Sequence, residues 1–152
     1  LNRRKFNGFC AEARAQTGPI LIVKPQTFYN RSGDCVSSML GYYKIPPEQL
    51  IVIHDEMDLQ AGQLRIKRGG SDAGNRGVRS IAQALGTPDF IRVRVGIAHP
   101  RDGGDSIEHV IQPLTAAELR QFASSIERAA DAVFAIMRDG LERAMNVYNQ
   151  RV

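Results

Sequence analysis

The sequence predicts an α/β fold in which a mixed, mainly parallel twisted sheet is flanked by helices. Two observations support this prediction. Strand-like segments alternate with helix-like segments, without repeats or linkers, and the 152 residues have the length of one domain. A domain of this size buries roughly 68 to 70% of the surface of its unfolded chain, which is enough for a hydrophobic core. We therefore expect a single domain over residues 1–152.

The strands are predicted from composition and alternation. FNGFCAEAR and PILIVK flank the turn Gln16-Thr17-Gly18 and predict a hairpin. QLIVIHD is apolar almost to its end and predicts a buried strand. Two further segments alternate apolar with basic residues, which predicts strands that each expose one face to water; they are GQLRIKR and FIRVRVGI.

The helices are predicted from their end signals. SGDCVSSMLGYYK starts at Ser32, which can cap a helix, and two prolines follow it. TAAELRQFASSIERAADAVFAIMRDG has Thr115 at the cap, Glu118 at the capping-box position and Gly140 at its end. Two further segments predict shorter helices, GNRGVRSIAQALG and LERAMNVYNQ.

Composition excludes several classes of protein. The apolar fraction of 43% and the charged fraction of 24% are ordinary for a soluble chain, and no apolar run is long enough to span a bilayer. The only cysteines, Cys10 and Cys35, lack metal-ligand spacing, which favours a reducing compartment, the cytoplasm. We expect no cofactor and no metal.

The formal charge of +4 is concentrated in the middle of the chain. A nucleic-acid footprint and a solvated basic face both have this composition, so charge alone leaves the two open. The segment from Gly62 to Arg94 has only Asp72 and Asp89 against the basic residues Arg65, Lys67, Arg68, Arg76, Arg79, Arg92 and Arg94.

The strand QLIVIHD ends at Asp55, and an aspartate at the end of a buried strand usually has a functional role. Its neighbour His54 points to the opposite face of a strand, so the two cannot form a dyad. Glu56 also points away, which disfavours a magnesium site built from Asp55, Glu56 and Asp58. Asp55 therefore needs a partner from elsewhere.

Two loops carry further candidates. In PQTFYNRSG, Asn30 precedes a helix, where it could satisfy a turn, cap the helix or contact a ligand. RGGSDAGNRGVRS is glycine-rich and leads into a helix, but it has the spacing of neither a Walker loop nor a dinucleotide fingerprint. Each loop alone is weak evidence.

Taken in order, KPQTFYNRSG, HDEMDLQAGQLRIKRGG and FIRVRVGIAHP resemble the bacterial peptidyl-tRNA hydrolase family. The resemblance extends from about Lys5 to the end of the chain. It implies an α/β enzyme that hydrolyses the ester between peptide and tRNA in peptidyl-tRNA and so recycles tRNA after aborted translation. It also implies peptidyl-tRNA as the partner. Because the sequence has no ligands at metal-binding spacing, we expect a mechanism without a metal.

In that family, the aspartate that matches Asp55 orients a histidine that acts as general base. That histidine belongs to a Thr-Arg-His-Asn motif, and none of His54, His99 and His109 lies in such a motif. LNRRKF looks like the family's second strand, so we expect the first strand, its Asn-Pro-Gly loop and a helix, on the order of 35 residues, to be missing.

The resemblance assigns Asn30 to a catalytic, substrate-contacting position beside Tyr29. Asn75 and Arg76 stand where the family usually has His-Asn, so this chain departs from the pattern at both substrate-binding positions. An arginine there can donate to an oxyanion but cannot accept a hydrogen bond. The positions that bind tRNA phosphates are Lys67 and Arg94, with Arg65, Arg79 and Arg92 as neighbours.

Three functional interpretations stay open. The first is a monomeric peptidyl-tRNA hydrolase. The second is a short form or paralogue that keeps an RNA-binding surface but lacks the catalytic base. The third is an esterase for small molecules on the same fold.

Overall fold

The structure, a computed structural model, describes residues 3–97 and 115–150. The chain divides into two compact units, one formed by Leu1–Val52 and Arg68–Ile91 and the other by Ile53–Lys67 and Arg92–Val152. Strands and helices alternate as expected, so the α/β class is confirmed. The single domain over residues 1–152 stays a prediction.

The first unit contains an antiparallel sheet of order β1-β2-β3. Its strands are β1 (Arg3–Lys5), β2 (Gly8–Ala15) and β3 (Gly18–Pro25). Ala15 pairs with Gly18, so the predicted hairpin is confirmed, with Gln16 and Thr17 as its loop. Strand β1 has no apolar alternation, and only the family resemblance, in which LNRRKF looks like a strand, indicated it.

Two helices pack on each other in the first unit, α1 (Ser32–Tyr43) and α2 (Arg76–Leu85). Two 3-10 turns also belong to this unit, Tyr29–Arg31 directly before α1 and Pro47–Gln49 after it. The apolar faces of the helices share a buried cluster, which consists of Val36, Leu40, Val78, Ile81 and Phe90. A second cluster joins α1 to the hairpin through Cys10, Cys35 and Met39.

The start of α1 differs from the prediction. Arg31, not Ser32, is the N-cap residue, and its side chain makes no capping hydrogen bond. The backbone N–H of Gly33 donates instead to Oγ of Ser80 in α2, at 2.9 Å. A hydroxyl distant in sequence thus satisfies a donor that a local cap usually serves.

The second sheet has the order β4-β6-β5, and most of its residues belong to the second unit. Its strands are β4 (Ile51–Glu56), β5 (Leu64–Arg68) and β6 (Ile91–Gly96). The N–H groups of Ile91 and Ile97 donate to Leu50 and Glu56, so β4 and β6 run parallel. Gly96 donates to Gln63, and Gly69 to Phe90, so β5 and β6 are antiparallel and the sheet is mixed.

Two burial predictions for this sheet are wrong. Strand β6 does not expose a face, since five of its six residues are buried and Arg92 is only 2% exposed. Strand β4 is not buried on both faces, because Ile53 is 52% exposed and Asp55 on the same face is exposed as well. For β5 the prediction is confirmed, since Leu64 and Ile66 are buried and Arg65 is exposed.

The second unit also holds helices α3 (Ala116–Asp139) and α4 (Leu141–Tyr148). The predicted capping box is present: Thr115 Oγ1 accepts from the N–H of Glu118, and the Glu118 carboxylate accepts from the N–H of Thr115. Gly140 separates the two helices, as predicted. None of the described helices is long and apolar enough to cross a membrane.

Candidate functional site

The end of β4 presents its last side chains to opposite faces. Asp55 is exposed, whereas Glu56 is 4% exposed. Nδ1 of His54 lies 2.8 Å from the backbone oxygen of Asp55 and donates to it. Burial lowers the pKa of His54, partly offset by this hydrogen bond. His54 is therefore tied to the backbone of Asp55 in its neutral form.

Glu56 forms a buried ion pair with Arg94 of β6. Nε and Nη2 of Arg94 both donate to Oε2 of Glu56, at 3.0 and 2.6 Å. The other carboxylate oxygen accepts from the backbone N–H of Asp58 at 3.2 Å. Arg94, predicted to bind phosphate, thus has one edge of its guanidinium held by a carboxylate.

Strand β5 carries the other predicted phosphate-binding residues of this unit, Arg65 and Lys67. Arg65 is exposed and Lys67 is half-buried. Between them, the backbone of Ile66 forms two hydrogen bonds with the side chain of Asn149: its N–H donates to Oδ1 at 2.6 Å, and its carbonyl accepts from Nδ2 at 2.9 Å. Asn149 therefore fixes the strand on which both basic residues stand.

A polar cleft lies beside these residues, entirely within the second unit. It has a volume of ≈ 310 Å³. Amide groups and the two arginines supply hydrogen-bond donors, which suit a phosphate or ribose oxygen. The lining residues are Asp58, Leu59, Gln63, Leu64, Arg65, Arg94, Asn149 and Gln150.

Asn30 belongs to the first unit, in the 3-10 turn Tyr29–Arg31, and its side chain is exposed. This turn packs against α2. Asn30 does not cap α1, because the cap position belongs to Arg31. The structure thus brings the turn of Asn30 to the helix that begins with Arg76.

The glycine-rich loop before α2 is ordered by its own polar groups. Arg79 Nε and Nη2 donate to the two carboxylate oxygens of Asp72, at 3.1 and 3.2 Å. Oδ1 of Asp72 also accepts from the N–H of Gly74. Ala73 and Gly74 follow in left-handed conformations, with φ of 49° and 81°. Arg79, predicted to bind tRNA, thus also holds this loop.

Asn75 and Arg76 stand at the end of this loop. Asn75 is the N-cap of α2, and its Oδ1 accepts from the N–H of Val78 at 3.0 Å. Arg76 is the first residue of the helix and is exposed. The side chain of Asn75 thus has a structural use as the helix cap.

The remaining candidates divide between the interior and the undescribed residues. Arg92 is buried, so it is not a surface neighbour of the phosphate-binding residues as predicted. His99 and His109 lie outside the described residues. Within residues 3–97 and 115–150, no group of three or more His, Cys, Asp or Glu side chains is placed to hold a metal ion.

Comparison with known proteins identifies the family. The family model described as Peptidyl-tRNA hydrolase matches residues 1–152. The chain belongs to the peptidyl-tRNA hydrolase family. Among its relatives, the peptidyl-tRNA hydrolase of Geotalea daltonii is 38% identical over 99% of this chain and 78% of its own length. That of Thermus thermophilus is 45% identical over 90% of this chain and 74% of its own length.

Solved structures of peptidyl-tRNA hydrolase agree with this assignment. The crystal structure of the enzyme from Acinetobacter baumannii superimposes with a TM-score of 0.87 at 31% identity. The match covers 98% of this chain and 76% of that chain. The resemblance on which the family was predicted is thereby confirmed.

Sequence reasoning missed several residues that support the site. Glu56 was considered only as a metal ligand, although it binds Arg94. Ser80 and Asn149 act on backbone groups 47 and 83 residues away. Only Asp72 had a local signal, since an aspartate two residues before a glycine often forms such a turn.

Proposed function

We propose that this chain hydrolyses the ester bond between peptide and tRNA in peptidyl-tRNA and recycles tRNA after aborted translation. The observation that carries the proposal is the family match over residues 1–152, with relatives of that name 38% and 45% identical. We also propose that it works in the cytoplasm as a monomer. The unpaired state of Cys10 and Cys35, both buried, supports a reducing compartment.

Asp55 is proposed to orient a histidine that removes a proton from the attacking water. Its exposed position at the end of β4 supports this role, because a partner can reach its carboxylate from that face. His54 is not the proposed partner, because consecutive side chains of β4 point to opposite faces of the sheet. The proposed base is the histidine of a Thr-Arg-His-Asn motif, which these 152 residues do not contain.

Substrate contacts are proposed for Asn30 and Arg76, with Tyr29 and Asn75 beside them. Asn30 is exposed on a turn that packs against α2, and Arg76 is exposed at the start of α2. Their amide and guanidinium can donate hydrogen bonds to the ester carbonyl and to the oxyanion that forms from it. Asn75 supports this arrangement chiefly as the cap of the helix.

The tRNA is proposed to contact Arg65, Lys67 and Arg94, with Arg79 as a further contact. The first three belong to two paired strands, and Arg65 and Arg94 line the same cleft. Clustered guanidinium and ammonium groups bind phosphates irrespective of base sequence. Arg79 is expected to contribute less, because Asp72 neutralises it.

A second candidate function is a short form that binds tRNA without hydrolysing the ester. It is favoured by the basic residues of β5 and β6, which can bind tRNA phosphates whether or not the ester is cleaved. Both functions use the same RNA-binding surface, so they differ only in whether a base is available beside Asp55.

Four proteins distinguish the two functions. They are the 152-residue chain, the chain extended at its N-terminus with a strand and the Thr-Arg-His-Asn motif, and Asp55→Asn in each. Release of free tRNA from peptidyl-tRNA is measured under single-turnover conditions. The extended chain should be active, and Asp55→Asn should slow it strongly, by up to about 10⁴-fold, because an amide holds the histidine in the wrong tautomer.

The short chain should hydrolyse peptidyl-tRNA negligibly, and Asp55→Asn should not slow it further. Hydrolysis by the short chain that Asp55→Asn abolishes would contradict the proposed base. An inactive extended chain that still binds tRNA would favour the second candidate function.

A further inference from the structure

The carboxylate of Glu56, paired with Arg94, is almost completely shielded from water. Glu56 is 4% exposed and accepts two hydrogen bonds from Arg94 and one from the N–H of Asp58. The side chain of Arg94 is 16% exposed. A buried carboxylate requires such partners, because an unpaired charge is strongly disfavoured away from water.

The ion pair also decides which edge of Arg94 the cleft receives. Nε and one N–H of Nη2 are bound to Glu56, so Nη1 and the outer N–H of Nη2 are the donors that remain for another acceptor. Arg94 lines the polar cleft, whereas Glu56 does not. One edge of the guanidinium is thus fixed by Glu56, and its outer edge has the donors that remain for an acceptor in the cleft.

We propose that Glu56 is a positioning residue for RNA binding, which holds the guanidinium of Arg94 in the orientation that accepts a tRNA phosphate. The inference rests on the proposed function, because it takes the cleft to be part of the tRNA-binding surface. A guanidinium that is already fixed loses little freedom when a phosphate binds, and its planar fork matches two phosphate oxygens.

Glu56 carries the same charge as the phosphate, which makes the proposal testable. If only the sum of charges mattered, removal of Glu56 would make the protein more positive and tighten RNA binding. If orientation matters, removal of Glu56 releases Arg94 and costs one phosphate contact. The two expectations have opposite signs.

Strand β4 therefore carries two carboxylates with different proposed roles at consecutive positions. Asp55 lies on the exposed face, proposed for ester hydrolysis, and Glu56 on the opposite face, beside Arg94. A single strand end thus fixes both the group that orients the base and the group that orients the phosphate-binding arginine.

The test is a salt titration of the binding of fluorescently labelled, deacylated tRNA to the 152-residue chain and its variants. Glu56→Gln should weaken binding at least about threefold and lower the slope of log K against log salt by about 0.7 to 0.9, the effect of one lost phosphate contact. The double variant Glu56→Gln/Arg94→Gln has the net charge of the unmodified chain and should have the same slope as Glu56→Gln. Glu142→Gln, an exposed carboxylate on α4, makes the same charge change as Glu56→Gln and should leave the slope unchanged.

Glu56→Asp keeps the charge and shortens the side chain by one methylene, so it tests the orientation even if Glu56→Gln does not fold by circular dichroism. It should also lower the slope and the affinity. Binding by Glu56→Asp equal to that of the unmodified chain, or tighter binding by folded Glu56→Gln with an unchanged slope, would overturn the inference.

The double variant separates this failure from that of the proposed function. If it binds tRNA like the unmodified chain, Arg94 is not part of the RNA-binding surface, and the inference fails together with that part of the proposal. If it binds more weakly while Glu56→Gln does not, only the positioning role of Glu56 fails.

Discussion

Replacement of Gly33 by alanine should destabilise the protein, although alanine is the better helix former. Within a helix, glycine is less favourable than alanine by about 0.5 to 1 kcal/mol. A Cβ at Gly33, however, would overlap the backbone oxygen of Ser80 and lie 2.8 Å from Cβ of Ala84. Backbone atoms of α2 cannot rotate away, so α1 would have to move.

The magnitude follows from these contacts. Ordinary contacts of a Cβ begin at 3.4 Å, and both of these contacts are well inside that limit. Overpacking of this kind costs about 1 to 3 kcal/mol, and loss of the hydrogen bond from Gly33 to Ser80 adds about 1 kcal/mol. The helix-forming preference of alanine offsets about 0.5 to 1 kcal/mol of this cost, so we expect the free energy of unfolding to fall by about 1 to 3.5 kcal/mol.

Gly41 provides a matched control in the same helix. A Cβ there meets nothing within 4 Å, so Gly41→Ala should stabilise the protein by about 0.5 to 1 kcal/mol. Urea unfolding followed by circular dichroism measures both variants. If Gly33→Ala stabilised the protein as Gly41→Ala does, the close packing of α1 on α2 would not be a requirement of the fold.

Three further predictions concern the second unit. Asn149→Ala leaves a buried N–H and carbonyl of β5 without their partner, so it should lower the free energy of unfolding, measured in urea, by about 2 to 3 kcal/mol. The control Asn146→Ala, at an exposed position, should change this free energy by less than about 0.5 kcal/mol. The pKa of His54 is lowered in the folded chain, so just below the unfolded value of about 6.5 only the unfolded chain takes up a proton. The free energy of unfolding, measured across this pH range, should therefore fall as the pH drops from about 7 through 6.5 towards the folded pKa, and it should fall by less in His54→Gln. Lys67→Ala should lower the salt slope of tRNA binding by about 0.7 to 0.9, while Lys24→Ala on the hairpin should not; equal slopes would remove Lys67 from the RNA-binding surface.

The alternation of apolar and basic residues predicted the strands but not their burial. GQLRIKR and FIRVRVGI have the same local pattern, yet Arg65 is exposed and Arg92 is buried. The difference lies in what packs against the sheet: both faces of β6 are covered, whereas one face of β5 is open. Such packing depends on contacts between distant segments, which local periodicity does not contain.

The candidate site was predictable where its signals were local or belonged to the family. Asp55 at the end of a strand and the capping box at Thr115 can be recognised from spacing alone. The hydrogen bonds of Asn149 and Ser80 with the backbone could not be predicted, because each joins residues that are far apart in the sequence. A polar residue in a helix looks solvent-facing until the packing of the chain supplies its partner.

The alternation at the end of β4 limits how the length of this strand can change. Leu50 and Glu56 are paired with Ile91 and Ile97 of the parallel strand, so both strands advance by the same number of residues between these pairs. Insertion or deletion of one residue within β4 would shift the register and turn Asp55 and Glu56 to the opposite faces, exchanging their positions. A substitution alters one carboxylate at a time, whereas a single codon gained or lost would disable both at once. Variation in chain length among functional relatives should therefore fall outside this strand.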